Sequence, residues 1–221
     1  MTFLELCVRL QREAGIAGPA IPAVTGQTGL NEKIVNWVRD SWVEIQNMRH
    51  DWRFMKTPFA KVLVIGQSSY NLLNDFQLTT MRSFDRMDWR IDDGLAFSRM
   101  VQTPYARWRE RYGPGPVSSG RPSALTFPYP DTMVLNASPV AAYNMAGSFW
   151  KTSTALVANA DIPGMPADFH MGIVWKALES YGLHEAAPEM VAKGQKKFNQ
   201  FLLDIVATQV EDTDVGPCPI A

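Results

Sequence analysis

Residues 120–182 read GRPSALTFPYPDTMVLNASPVAAYNMAGSFWKTSTALVANADIPGMPADFHMGIVWKALESYG. The order of local signals in this stretch decides the fold class. Gly120-Arg121-Pro122 is turn sequence. Ala124–Phe127, Thr132–Leu135 and Ala141–Trp150 read as three short strands, separated by Tyr-Pro-Asp and Asn-Ala-Ser-Pro turn chemistry. After a spacer, Pro166 starts a helix with Asp168 in its first turn, where a carboxylate suits the helix dipole. Phe169, Met171, Ile173, Val174, Trp175, Ala177, Leu178 and Tyr181 surround that helix with apolar groups, which predicts burial centrally or between subunits. Gly182 reads as its stop.

Helical periodicity dominates on the N-terminal side. Thr2–Ala14 reads as an amphipathic helix with Phe3, Leu6, Cys7 and Leu10 on one face. Gly15–Thr28 is rich in Gly, Ala and Pro and reads as a loop or crossing segment. Leu30–Met48 is the clearest helix, with Leu30, Ile34, Trp37, Val38, Ser41, Ile45 and Met48 in one stripe. Trp42 lies off that stripe and is expected either to cover a helix edge or to face a neighbouring subunit. Pro58 is expected to end this helical part.

The nearly continuous apolar run Phe59–Ile65 predicts a strand buried on both faces, and Tyr70–Leu73 its return. Residues 76–101 predict strands around an Asp92-Asp93-Gly94 turn. Thr103 as N-cap, Pro104 at the first position and Gly113 past the end predict a short helix holding Trp108. Gly113–Pro122 reads as a loop. Pro188 opens a last helix striped by Val191, Phe198, Phe201, Leu202 and Ile205, with Lys193, Lys196 and Lys197 on or beside its wet face.

The expected fold is therefore α+β, a helical bundle formed by the N- and C-terminal helices around a central β-rich insert. The expected divisions are residues 1–57 and 162–211 for the bundle, 58–161 for the insert and 212–221 for an extended tail.

The composition excludes several classes. The 221 residues carry a net charge of −1, so the whole chain is not a basic nucleic-acid binder of the usual kind. Seven Trp, eleven Phe and eleven Met are a heavy apolar load, part of which suits coverage by partner proteins. Two cysteines, Cys7 and Cys218, near opposite ends give the expectation of free thiols in a reducing cytoplasm. The N-terminus alternates apolar and charged residues and does not read as a signal peptide, and no apolar run approaches the roughly 18 residues of a membrane span.

No catalytic spacing stands out. His50, His170 and His184 have no partner at metal-ligand spacing, so His170 reads as a packed or interface histidine and His50 as a helix C-terminal cap. Gly115 and Gly120 with Arg121-Pro122 lack the Lys and Ser/Thr of a phosphate loop. No nucleophile elbow or dinucleotide fingerprint occurs. No catalytic, metal-ligating or cofactor-binding residue is expected. Arg82, Arg86 and Arg90 recur every four residues, and Arg107, Arg109 and Arg111 every two. The first set shares a face only on a helix, the second only on a strand. They read as a solvated surface or inter-subunit ion pairs, or as a ring surface facing phosphates or an acidic partner.

The layout resembles the head-to-tail adaptors of tailed bacteriophages, the tail tubular A type among them. The resemblance rests on an ordered series covering most of the chain: a Trp-containing helix end, KIVNWVRDSWVEIQNMRHDWRFM (Lys33–Met55); a strand, FAKVLVIG (Phe59–Gly66); the Gly120–Pro122 turn; a strand with an aromatic end, AAYNMAGSFW; and the phrase Ile162–Gly182 before a final amphipathic helix. Phe149-Trp150 stands where such adaptors usually carry Tyr.

The resemblance implies a non-enzymatic virion protein of the neck, made in the host bacterial cytoplasm, that forms a ring, typically twelve-fold, under the portal protein. It implies contact with further neck or tail proteins and genomic DNA passing through the channel without sequence-specific binding. It implies portal docking by the C-terminal segment Asp212, Thr213, Asp214, Val215, Gly216, Pro217, Cys218, Pro219, Ile220 and Ala221, which lacks core-forming periodicity. A homomeric ring needs two different adhesive faces per subunit, for which Trp42, Arg107, Trp108 and Arg109 are the candidates. Other neck or tail-completion roles, as stopper or tail terminator, remain open beside the adaptor; a cell-envelope hydrolase is the more distant alternative, since it requires a polar cleft that no spacing here predicts.

Overall fold

A computed structural model describes residues 1–86, 88–94, 96–113 and 118–210. Along the chain run α1 (Phe3–Glu13), α2 (Gly29–Met48), β1 (Lys56–Val62), β2 (Ser69–Asn71), β3 (Met81–Phe84), β4 (Arg90–Asp92), β5 (Phe97–Arg99) and β6 (Val101–Gln102). Then follow α3 (Tyr105–Tyr112), β7 (Ser118–Ser119), β8 (Ala124–Tyr129), β9 (Thr132–Leu135), β10 (Ala137–Ser138), β11 (Asn144–Lys151), α4 (Met171–His184) and α5 (Pro188–Gln209). The fold is α+β, with helices from both ends of the chain and a β-rich centre. It divides into two compact units: Met1–Met55 with Ser153–Ala221, and Lys56–Thr152.

In the helical unit, α1 starts at a capping box. The Glu5 amide donates to Thr2 Oγ1 at 3.3 Å and the Thr2 amide to Glu5 Oε2 at 2.9 Å. Phe3, Leu6, Cys7 and Leu10 are fully buried. In α2 the buried set is Ile34, Val35, Val38, Ser41, Trp42, Ile45 and Gln46, an arc wider than one stripe because α2 packs against both α1 and α4. Trp42 therefore lies inside the unit, 3% exposed and stacked on Phe54 at 6.0 Å.

α4 and α5 pack with their backbones close, and three glycines permit it. A Cβ on Gly172 would stand 2.3 Å from the Phe201 ring. One on Gly182 would stand 2.8 Å from the Val191 amide nitrogen, and one on Gly194 2.9 Å from both Glu179 N and Trp175 O. Gly182 is thus an interior residue of α4, not its stop. The stop is Ala186, which takes the left-handed conformation at φ 53°. The Ala187 amide then donates back to Gly182 O at 2.8 Å, closing the turn that glycine more often makes. Ahead of α4, residues 167–169 form a 3-10 turn after Pro166, so the α-helix proper begins at Met171.

The segment after the insert belongs to the helical unit. Gln46, 2% exposed, donates through Nε2 to Thr154 O at 2.9 Å and accepts from Thr154 N at 3.0 Å. Asp161 O and Asn159 O accept from the Phe3 and Leu4 amides at 2.8 and 3.2 Å, filling two donors that a helix N-terminus leaves open. Residues 153–161, expected in the insert, group with the helices for this reason.

In the β unit, one sheet has the order β1-β11-β4-β5, with β3 also on β11, and a second has the order β2-β9-β8-β6. β1 and β11 are antiparallel over seven pairs, from Lys56↔Trp150 to Val62↔Asn144. Pro58 sits within β1 rather than ending the helical part; β1 is an edge strand, where a missing N–H is tolerated. β1 alternates in burial instead of being covered on both faces, and Val62, Val64 and Ile65 are exposed. β2 does not return along β1 but pairs with β9. The Tyr70 hydroxyl, accepting from Val64 N at 3.0 Å and donating to Val64 O at 3.3 Å, closes the intervening turn. The core between the sheets includes Tyr70, Trp89, Ile91, Leu125, Met133, Leu135, Met145 and Phe149. Thr103 does not cap α3: its amide donates to Leu125 O and its carbonyl accepts from Thr126 Oγ1, which leaves Pro104 in the cap position.

Gly194→Ala tests the helix packing. Intrinsic propensity favours Ala by about 1 kcal/mol. The backbone of α4 in the way should reverse that sign, with a net loss of about 1–3 kcal/mol in denaturant unfolding. A gain in stability would contradict the close approach.

Candidate assembly surfaces

The motif residues of the β unit do structural work. Arg121 clamps the turn between β4 and β5: Nη1 donates to Asp93 Oδ2 at 3.0 Å, and Nη2 to Ile91 O at 3.1 Å and Ala96 O at 2.7 Å. Its guanidinium lies 5.9 Å from the Tyr143 ring centroid. Asp92 and Asp93 accept from the Gly94 and Ala96 amides at 2.8 and 2.9 Å, so these carboxylates serve the turn.

The two arginine series separate. Arg82 lies on β3, Arg86 in a turn and Arg90 on β4, so the four-residue spacing makes no stripe. Arg90 pairs with Asp88 at 2.9 Å. Arg107, Arg109 and Arg111 lie on α3 and are exposed. One helical turn apart, Arg107 and Arg111 share a flank, while Arg109 takes the other. Between them Trp108 is 1% exposed and meets Tyr112 at 4.5 Å. The indoles of Trp42 and Trp108 are thus core groups, and of the interface candidates Arg107 and Arg109 are the exposed ones. The segment Asp212–Ala221 lies outside the described residues.

Large apolar side chains reach solvent in both units. Val62, Val64, Ile65, Phe97, Val101, Tyr129 and Val140 do so in the β unit, and Val157, Ile162, Leu183 and Leu203 in the helical unit. An apolar groove of about 420 Å³ follows the α4–α5 turn, lined by Leu183, Ala186, Pro188, Val191 and Ala192. Lys193 donates to Glu13 at 3.0 Å, while Lys196 and Lys197 are exposed.

Among the described residues no group of three His, Cys, Asp or Glu is placed to hold a metal ion. No helix among them is long and apolar enough to cross a membrane. Cys7 is a free thiol pushed up to about 12 by burial. His170 is packed, 1% exposed, with Nε2 donating to Met165 O at 3.1 Å and Nδ1 accepting from the Met1 amino group at 2.7 Å. Burial holds its pKa below the ordinary 6.5.

Apolar side chains are thus exposed on both units and arginines on α3, while Arg121, Asp92 and Asp93 are occupied in a turn. The family model described as SU10 adaptor protein matches residues 1–218, and the chain belongs to that family. Membership makes it a phage structural adaptor, a virion component that works in contact with other phage head and tail proteins. No curated protein matches the chain.

The neutral, buried His170 gives a pH signature. Below pH 6.5 the unfolded chain takes up a proton that the folded chain refuses. Stability should fall as pH drops from 7 toward 5, with a slope up to about 1.4 kcal/mol per pH unit. His170→Gln should flatten that slope in urea titrations; an unchanged slope would contradict the assignment.

Proposed function

We propose that the protein is a non-enzymatic, ring-forming head-to-tail adaptor that binds under the portal protein, extends the DNA channel and offers the platform on which the tail or the next neck protein sits. The observation that carries this reading is the match to the adaptor family over residues 1–218. The two-unit architecture supports it, because a ring subunit needs two different faces, and apolar side chains are exposed on both units. A twelve-fold ring is the expected stoichiometry. Stopper or tail-terminator roles have no observation of their own in their favour.

Residues 212–221 serve as the portal anchor in this proposal. They follow α5 in the sequence, and the last buried residue of that helix is Ile205, so their removal is expected to spare the helical core. Cryo-electron microscopy of the protein mixed with its portal should show one copy per portal subunit. The truncated chain should melt like the full-length protein and lose portal binding. A complex without a ring, or a truncation that binds the portal as well as the parent, would overturn the respective part.

Genomic DNA slides through such a ring, so its grip on phosphate must be weak. Duplex binding should be sequence-independent and vanish with modest salt, because few phosphates are neutralised. Sub-micromolar binding that persists at physiological salt would contradict a passive channel.

A further inference from the structure

The near-neutral total hides an asymmetry. Lys56–Thr152 carries eleven Lys and Arg against seven Asp and Glu, a charge of +4. The remainder carries ten against fifteen, a charge of −5, and the two give the net −1.

Each unit also displays a pair of like charges one helical turn apart. On α3 these are Arg107 and Arg111, both exposed. Among the described residues neither guanidinium has an ion-pair partner; Arg111 instead lies 5.3 Å from the Tyr112 ring centroid. Glu110 on the same helix makes no ion pair there either. On α2 the pair is Asp40 and Glu44, both exposed. Asp40 has no ion-pair partner among the described residues, and Glu44, with its side chain 54% exposed, meets only Lys176 at 3.1 Å. Like charges at this spacing oppose the helix that carries them. The buried Trp108 and the buried arc of α2 fix both pairs in place. The pairs match in spacing, about 5–6 Å between Cβ atoms, and are opposite in sign.

We infer that Arg107 and Arg111 of one copy dock on Asp40 and Glu44 of the next, forming the heterologous contact of the ring. The occupant of the α3 face is thus a second copy of this chain, selected by charge complementarity. The inference rests on the ring reading and specifies which surfaces meet. Ion pairs at such a rim steer and orient association more than they hold it, so the contact weakens with salt.

Full-length R107E/R111E loses the basic face and D40K/E44K the acidic one. Self-association is read by sedimentation at low salt, and copies per portal by native mass spectrometry. Each variant alone should associate at least tenfold more weakly than the parent. Mixed one to one, they should associate as alternating copies, since Arg107 and Arg111 of one meet Asp40 and Glu44 of the other and the two reversed pairs meet at the next contact. The chain carrying all four substitutions should regain association. Melting curves check that the variants fold, and R107E and D40K serve as the milder pair if the doubles do not.

Rings on the portal that ignore all of these substitutions would overturn the inference and leave the ring reading standing. A parent that never forms rings on the portal would refute that reading, while association of the mixed variants, each weak alone, still decides this contact. Loss of duplex DNA binding by R107E/R111E, with association intact, would assign the arginines to phosphate and also overturn it.

Discussion

The antiparallel register between β1 and β11 is the constraint on which the rest of the structure depends. With Lys56 opposite Trp150, the chain enters and leaves the β unit on neighbouring strands. The ends of the helical segments before and after it are thereby brought together, and a single helical core forms from both ends of the chain. Without this pairing, α4 and α5 would have to find α1 and α2 across roughly a hundred residues of loose chain, at the entropic cost of closing so long a loop. Gly147 lies opposite Phe59 in this register, and a Cβ there would stand 2.9 Å from the Phe59 ring. The ring in turn touches Phe76, Phe84, Trp89 and Phe149, tying the strand pair to the aromatic core.

Past Thr152 the return segment acts as a latch for the helical unit. Gln46 treats Thr154 as a strand partner, using its side-chain amide as if it were backbone. Asp161 spends its carboxylate on the Val157 and Ala158 amides at 2.7 and 2.8 Å, shaping the loop whose carbonyls then cap α1. Those two hydrogen bonds lower its pKa. The glycine contacts between α4 and α5 complete the unit. Polar groups that look like spare chemistry in the sequence, Arg121, Asp92, Asp93 and Asp161 among them, are occupied in building the two units.

Much of this was legible in the sequence where a local signal had one physical meaning. The period of α1 and α2, Pro188 opening α5, and the Asp92-Asp93-Gly94 turn between β4 and β5 were of that kind. The misreadings came where a residue serves a tertiary need. Gly182 looks like a stop, yet it is small because α5 passes against it. Trp42 looks spare on a one-stripe helix, yet α2 has two neighbours. Pro58 looks like a boundary, yet an edge strand accepts it. That β2 pairs with β9 is a long-range choice that no local pattern encodes. The short helix holding Trp108 was legible, and on it the arginines at 107, 109 and 111 divide between two flanks. That Arg107 and Arg111 have a matching acidic pair on α2 is a relation between distant elements that no local pattern encodes. Family membership was readable from the order of elements, while the portal anchoring proposed for residues 212–221 rests on the resemblance and not on any residue chemistry.

The most direct test of the account is excision of the β unit. Residues 56–152 are replaced by a short Gly-Ser linker, because the strand register brings the two ends of the unit together. The account predicts a helical protein that unfolds cooperatively and keeps the loss of stability below pH 6.5 that His170 imposes. A chain that is unfolded, or compact without a cooperative transition, would show that the helical core does not stand on the two chain ends alone and would contradict the account.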